Sequence, residues 1–129
     1  MKGYLDNIED VTKSNDNFRQ VLYTGKFSQL VVMSLLPGED IGAEIHNGND
    51  QFFRIESGNG EVMIDGVTHQ VEDDFAIVIP AGADHNVINT GTEPLKLYTI
   101  YSPPEHKDGT VHVTKAEATE EHFDGITTE

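Results

Sequence analysis

Short apolar segments, many of them alternating with polar residues, fill the middle of the chain and are separated by turn residues at close intervals. Alternation with a period of two residues is typical of a β-strand that buries one face. The segments that fit this description are residues 17–24, 27–36, 51–56, 61–64, 67–71, 75–79, 85–89 and 95–101. Short strands at such regular spacing predict an all-β fold, an antiparallel β-barrel or jelly roll.

The turns between these segments carry recognisable signals. Ser57-Gly58-Asn59-Gly60 and Asp65-Gly66 are both typical of β-hairpins. Residues 75–79 form a continuous apolar run that is closed by Pro80-Ala81-Gly82, which predicts a strand buried on both faces.

The C-terminal part of the chain differs from the rest because it becomes polar after Pro103-Pro104. Thr114 and Glu117 have the spacing of a capping box, which predicts a short helix from residue 114 to about residue 122. Residues 124–129 lack apolar anchors, so we expect them to fray. We expect one domain over residues 1–129, with a barrel core at about 18–104 and a polar tail at 105–129.

Charge and composition narrow the classes of partner. Twenty-three acidic residues oppose eight basic ones, and the formal net charge is −15. A field of that sign repels nucleic-acid phosphates and anionic membrane surfaces, so we expect neither as a partner. The absence of cysteine excludes disulfides and thiolate ligands. The N-terminus has no apolar signal core, which favours a cytoplasmic location.

Two segments of the chain form a paired motif. The first runs from Gly38 to Gly58 and reads G-x5-E-I-H-x4-Q-x6-G, with Glu44, His46 and Gln51 at its polar positions. The second runs from residue 74 to residue 89 and reads D-x5-P-A-G-x2-H-x3-N, with His85 as its histidine. Together they resemble the motifs of the cupin superfamily, G-x5-H-x-H-x4-E-x6-G and G-x5-P-x-G-x2-H-x3-N. The resemblance covers residues 37–89 directly and implies a small single-domain cupin of the mannose-6-phosphate isomerase-like type.

The chain departs from the cupin pattern at three places. Asp74 stands where the second motif usually begins with glycine, Glu44 stands at the usual first histidine, and Gln51 stands at the usual glutamate. The usual set of three histidines and one glutamate carries one negative charge, and so does the set in this chain. The carboxylate has therefore moved to a different ligand position.

Strand periodicity supports the match independently. Glu44 and His46 are two residues apart and point to the same face of a strand. Gln51 shares a face with Phe53 and Ile55 on the next strand. His85 and Asn89 share a face as well, and the inward faces of a barrel converge.

The resemblance implies a divalent metal site made by Glu44, His46, Gln51 and His85. Imidazole nitrogens and a carboxylate suit iron, manganese, nickel or zinc, and two histidines with one carboxylate are the ligands of facial-triad iron sites. Gln51 either binds weakly through its amide oxygen or orients another ligand. The alternative is a barrel that has lost its metal. The further residues expected to line the cavity are Phe53, Ile55, Asn89 and Tyr101.

These features predict a metal-dependent cupin that acts on a small polar organic molecule, as a dioxygenase or as a sugar isomerase or lyase. No inward strand position offers an evident cation, which argues against a sugar phosphate. The alternative class is a non-catalytic module that senses or stores a ligand in the same cavity. We also expect a homodimer, with residues 17–24 as the strand that pairs with the partner.

Overall fold

The computed structural model describes all 129 residues, and β-strands dominate it. The ten strands are β1 (Arg19–Thr24), β2 (Gln29–Leu35), β3 (Glu44–Ile45), β4 (Asp50–Ser57), β5 (Asn59–Ile64), β6 (Val67–Glu72), β7 (Ala76–Ile79), β8 (Asp84–Ile88), β9 (Leu95–Ser102) and β10 (Val111–His112). The helices are α1 (Ile8–Ser14) and a single 3₁₀ turn (Lys115–Glu117). No helix is long and apolar enough to cross a membrane.

The strands form two antiparallel sheets that face each other as a jelly roll, which confirms the predicted fold class. The six-stranded sheet has the order β10-β1-β2-β9-β4-β7, and the four-stranded sheet has the order β3-β8-β5-β6. Strand pairing does not close the two sheets into one continuous barrel. The predicted hairpin at Asp65-Gly66 joins β5 to β6, and both of its turn residues have the positive φ that such a tight turn requires. The hairpin predicted at residues 57–60 is wrong, because the strands on either side of it, β4 and β5, belong to different sheets and do not pair.

One apolar core fills the space between the sheets. Phe53, Ile55 and Leu97 enter it from the six-stranded sheet, and Val62 and Val87 enter it from the four-stranded sheet. Each belongs to the inward half of an alternating strand, so the period-two pattern of the sequence is the pattern of burial.

Strand β7 corrects one prediction. Its apolar run was expected to be buried on both faces, but Ile77 and Ile79 are buried whereas Val78 is 65 % exposed. The reason is position, because β7 is the edge strand of its sheet and its outer face meets solvent. The neighbouring Asp74 adopts φ 72°, in the left-handed region, which explains why cupins usually place glycine there.

Helix α1 lies outside the predicted elements. Asn7 is its N-cap and accepts a hydrogen bond from the Asp10 N–H, and Thr12 is its one buried residue. Lys96 of β9 donates to the Asn15 carbonyl and pairs with Asp16, so the end of α1 is fastened to the six-stranded sheet.

The C-terminal tail is more ordered by hydrogen bonds than its composition predicts. Thr114 caps a helix as expected, but Ala118 is already extended, so a single 3₁₀ turn replaces the predicted helix. The last residues do not fray. Thr128 pairs with Thr24, and the Glu129 carboxylate accepts hydrogen bonds from the Tyr23 hydroxyl and from two N-terminal backbone N–H groups.

These tail contacts also correct the predicted dimer strand. One edge of β1 pairs with β2, and the other pairs with β10 and with the chain end near Thr128. The segment 17–24 is therefore an internal strand of its own sheet and offers no free edge to a partner. The homodimer itself stays a prediction.

We expect Gly60→Ala to destabilise the fold by about 1–3 kcal/mol, because a Cβ atom there would lie 2.4 Å from the Ile88 carbonyl oxygen. Gly48→Ala is the matched control, since a Cβ at that position meets no heavy atom within 4 Å. Chemical denaturation of both variants measures the two free energies of unfolding. Equal losses in the two variants would contradict the close approach of β5 to β8.

Candidate metal centre

Three of the four predicted ligands converge at one end of the space between the sheets. Glu44 of β3 lies directly opposite His85 of β8 in the strand register, so their side chains leave the sheet on the same face. His46 follows two residues after Glu44 and returns to that face. The donor atoms of Glu44, His46 and His85 all lie within 4.8 Å of one another, a separation that one metal ion could span.

The turn of the second motif positions His46. The Gly82 N–H donates to the His46 carbonyl at 2.9 Å, and Gly82 has φ 90°, which favours glycine at this position. Asp50 accepts from the Ala81 N–H at 2.9 Å and fixes the same turn to β4. The Pro-Ala-Gly sequence therefore connects the two motifs physically.

The ring of His46 lies between two carboxylates. Its Nε2 is 2.7 Å from Glu44 Oε2, but the geometry is not that of a hydrogen bond, and Nε2 is buried without another partner. Its Nδ1 is 3.6 Å from Glu105 Oε1, while the other Glu105 oxygen accepts from the Asn49 side chain at 3.0 Å. A carboxylate behind the distal ring nitrogen is a common way to orient a metal-binding histidine.

The contact between His85 and Gln51 is the observation that tests whether a metal fits. His85 Nδ1 is 3.0 Å from the Ala83 carbonyl oxygen, an acceptor, so we assign the ring proton to Nδ1. His85 Nε2 then presents a lone pair, and it faces Gln51 Oε1 at 3.2 Å. Two acceptors opposed in this way repel each other, and a cation bound by both would relieve the contact. The donor set therefore fits a divalent metal.

The orientation of Gln51 follows from its own strand neighbours. It is 2 % exposed, and its amide N–H donates to Thr99 Oγ1 of β9 at 3.1 Å, which turns Oε1 towards His85. The sequence placed Gln51 on the inward face of β4, and in the structure its side-chain amide lies 3.2 Å from His85.

The residues expected to line the cavity lie in three different environments. Phe53 and Ile55 belong to the apolar core. The ring of Tyr101 packs edge-on at 6.0 Å from the ring of His46, and its hydroxyl is 3.2 Å from His106 Nε2. Asn89 does not face the cluster, because its side chain binds the backbone of Leu35 and of the turn before β9. Asn89 therefore connects the end of β8 in one sheet to the end of β2 in the other, away from the cluster.

A pocket of about 270 Å³ lies over the cluster. Glu44 and His46 form part of its wall, and the remaining lining residues are Arg19, Ile45, Glu105, His106, Thr119, Glu120, Glu121 and His122. Residues 119–122 come from the polar tail, which folds back over this end of the jelly roll. Sequence reasoning missed this wall because nothing in a polar segment indicates what it covers.

Arg19 corrects the expectation that no inward strand position offers a cation. It is the first residue of β1, only 7 % exposed, and shares the inward face with Val21. The signal was the alternation itself, since an inward Val21 places residue 19 inward two positions earlier. Adjacent Phe18 obscured it by being buried as well.

Burial and charge set the ionisation of these groups. Burial raises the pKa of Glu44, but the adjacent His46 and the charge of Arg19 outweigh it and bring the pKa below its usual value. The Glu44 carboxylate raises the pKa of His46 against the opposing effect of burial. Burial, helped by Arg19, lowers the pKa of His106 to about 3, so its ring is neutral at physiological pH. Burial also raises the pKa of the Tyr101 phenol, which therefore stays protonated.

Comparison with known proteins agrees with this geometry. The Cupin_2 family, described as "Cupin domain", matches residues 31–101. The uncharacterized protein YrkC of Bacillus subtilis is 56 % identical over 123 residues, which cover 91 % of this chain. The match spans 66 % of YrkC, just under two thirds of its length. The uncharacterized protein L612 of Acanthamoeba polyphaga mimivirus is 42 % identical over 89 % of this chain and 74 % of its own length.

A solved structure from Bacillus halodurans superimposes with a TM-score of 0.88 at 52 % identity, covering 90 % of this chain and 92 % of the other. The family match covers both motifs and all four residues of the candidate centre, and the structural likeness extends over nearly the whole chain. The chain belongs to the cupin family.

Proposed function

We propose that this cupin binds one divalent transition metal through Glu44, His46 and His85, with Gln51 as a weaker fourth donor, and acts there on a small polar organic molecule. The observation that carries the proposal is the convergence of these lone-pair donors within 4.8 Å beneath an open pocket. Two imidazoles and one carboxylate are typical ligands of iron, manganese, nickel or zinc.

A bound metal would supply an open coordination position for oxygen or for an oxygen atom of the substrate. The protein groups around it have separable roles. His85 is held by the Ala83 carbonyl and Gln51 by Thr99, so these two donors are oriented before any metal binds. His106 is neutral and the Tyr101 hydroxyl stays protonated, so neither side chain adds a charge to the site.

Among reaction classes, the composition of one carboxylate and two histidines favours oxygen-dependent cleavage over isomerase or lyase chemistry. Two measurements test this preference. The first is elemental analysis of protein purified without a metal-affinity tag, and the second is oxygen-uptake screening with small organic acids, alcohols and sugars. Stoichiometric metal with oxygen uptake supports the proposal. Stoichiometric metal without turnover of any compound favours the non-catalytic binding module, and absence of metal overturns the metal centre. The cytoplasmic location stays a prediction.

Glu44→Gln should weaken metal binding by more than about 100-fold, beyond the usual loss from a residue that only orients a ligand, because it removes the sole carboxylate of the donor set. Gln51→Ala should weaken binding by less than about 10-fold, since a neutral amide oxygen is a poor ligand beside imidazole and carboxylate. Chelator-competition titrations measure both affinities.

Two further variants complete that experiment. The double variant Glu44→His/Gln51→Glu restores the usual cupin ligands and should recover the affinity. Glu61→Gln removes a carboxylate on β5 that hydrogen-bonds only to Gln70, and it should leave the affinity unchanged. Full occupancy in Glu44→Gln together with an empty site in Gln51→Ala would show that the carboxylate is not the anchor.

We also propose that the chain forms a homodimer, now through a surface other than β1, whose two edges are occupied. Large apolar side chains at the surface, such as Val78 on edge strand β7, support it, since exposed edges and apolar residues favour association. Light scattering at tens of micromolar protein should give twice the mass of the 14.3 kDa chain. A monomeric mass at that concentration would refute the dimer.

A further inference from the structure

Arg19 is a buried cation at the wall of the pocket. It begins β1, is 7 % exposed, and lines the pocket together with Glu44 and His46. Its charge is close enough to influence the pKa values of Glu44, His106 and His112. The guanidinium therefore belongs to the same electrostatic environment as the candidate metal centre.

No carboxylate lies within ion-pair distance of this guanidinium. None of the ion pairs within 4.0 Å includes Arg19. Its Nε is buried without a hydrogen-bond partner. Its Nη1 is 3.3 Å from Nδ1 of His112. Burial lowers the pKa of His112, which favours the neutral form of that ring. The centre of the Phe18 ring also lies 5.2 Å from its guanidinium carbon.

The other arginine of the chain also has an Nε without a hydrogen bond, but its guanidinium is ion-paired. Arg54 pairs with Glu56 at 3.3 Å and with Asp74 at 3.0 Å at the outer surface. A protein with 23 acidic residues has ample means to pair a second arginine. Burying an unpaired charge is strongly unfavourable, so an unpaired guanidinium that faces a pocket is best explained by an anion that binds there.

We propose that Arg19 binds the carboxylate of a small organic acid whose other oxygen atoms reach the metal held by Glu44, His46 and His85. This inference rests on the proposed function and names the ligand class of that site. The planar fork of a guanidinium matches a carboxylate with two parallel hydrogen bonds.

The acidic groups of the pocket favour a carboxylate over a phosphate. Glu105 lies 3.4 Å from His122 within the wall, and Glu120 and Glu121 lie at its exposed rim. They repel a doubly charged phosphate more strongly than a singly charged carboxylate. One arginine and no lysine line this pocket, which is a small positive charge for a phosphate ester.

The test compares binding by isothermal titration calorimetry. The protein is loaded with Fe²⁺, Mn²⁺ or Zn²⁺, whichever binds with the highest affinity, and titrated with glycolate, lactate and pyruvate. Glycolamide, lactamide and pyruvamide serve as neutral counterparts, and inorganic phosphate is the competing anion. We expect at least one carboxylate to bind, and its amide and phosphate to bind at least about 10-fold more weakly.

Variants assign the effect to Arg19. Arg19→Met should weaken carboxylate binding by at least about 10-fold while the metal affinity and the melting temperature of the ligand-free protein are maintained or increased. Arg19→Lys keeps the positive charge without the planar fork, so it should weaken carboxylate binding by less than Arg19→Met does. The lysine variant replaces the methionine variant if the latter does not fold. Arg54→Met is the matched control and should bind the same carboxylate normally.

The outcomes separate this inference from the proposed function. Metal binding without carboxylate binding, preference for phosphate, or an unchanged carboxylate affinity in the Arg19 variants would overturn the role of Arg19 and leave the metal centre intact. Failure to bind metal would overturn the proposed function. The same titrations on the metal-free protein then decide whether Arg19 alone binds the anion.

Discussion

The site depends on one geometric constraint, which is that two sheets face each other across a single core and carry lone-pair donors at the same end. The register of β3 on β8 puts Glu44 opposite His85, and the register of β4 on β9 puts Gln51 beside Tyr101. The period-two alternation then directs all of these side chains between the sheets. His46 lies against the Glu44 carboxylate and His85 against the Gln51 amide oxygen, and one divalent cation could replace the imidazole protons and be shared by these groups.

The charge of the whole molecule and the charge of the pocket act in different ways. The net charge of −15 is spread over the surface, where solvent and salt screen it. Arg19 is buried, so its single positive charge is screened much less. It helps to lower the pKa of Glu44 and that of His106, which favours an ionised carboxylate and a neutral ring.

Local pattern was sufficient for most of the fold. Alternation and turn residues predicted strands β2 and β4–β9 to within one or two residues, and motif spacing placed Glu44, His46, Gln51 and His85 at one end of the jelly roll. These features are encoded within a few neighbouring residues. The failures concern partners far away in the chain. The edge position of β7, the pairing of β10 with β1, and the folding of the tail over the pocket depend on contacts that no local window contains.

Family membership accounts for the candidate metal donors but not for most of the pocket above them. The cupin match at residues 31–101 includes all four candidate metal donors, so the metal centre belongs to the shared part of the fold. Apart from Glu44, Ile45 and His46, every residue that lines the pocket lies outside that range, at Arg19 or in the tail from Glu105 to His122. Membership in the family therefore informs the choice of metal ligands and not the choice of substrate. Under the proposed function, the two ends of the chain would supply the selectivity, because they carry the unpaired buried cation Arg19 and the wall that faces it.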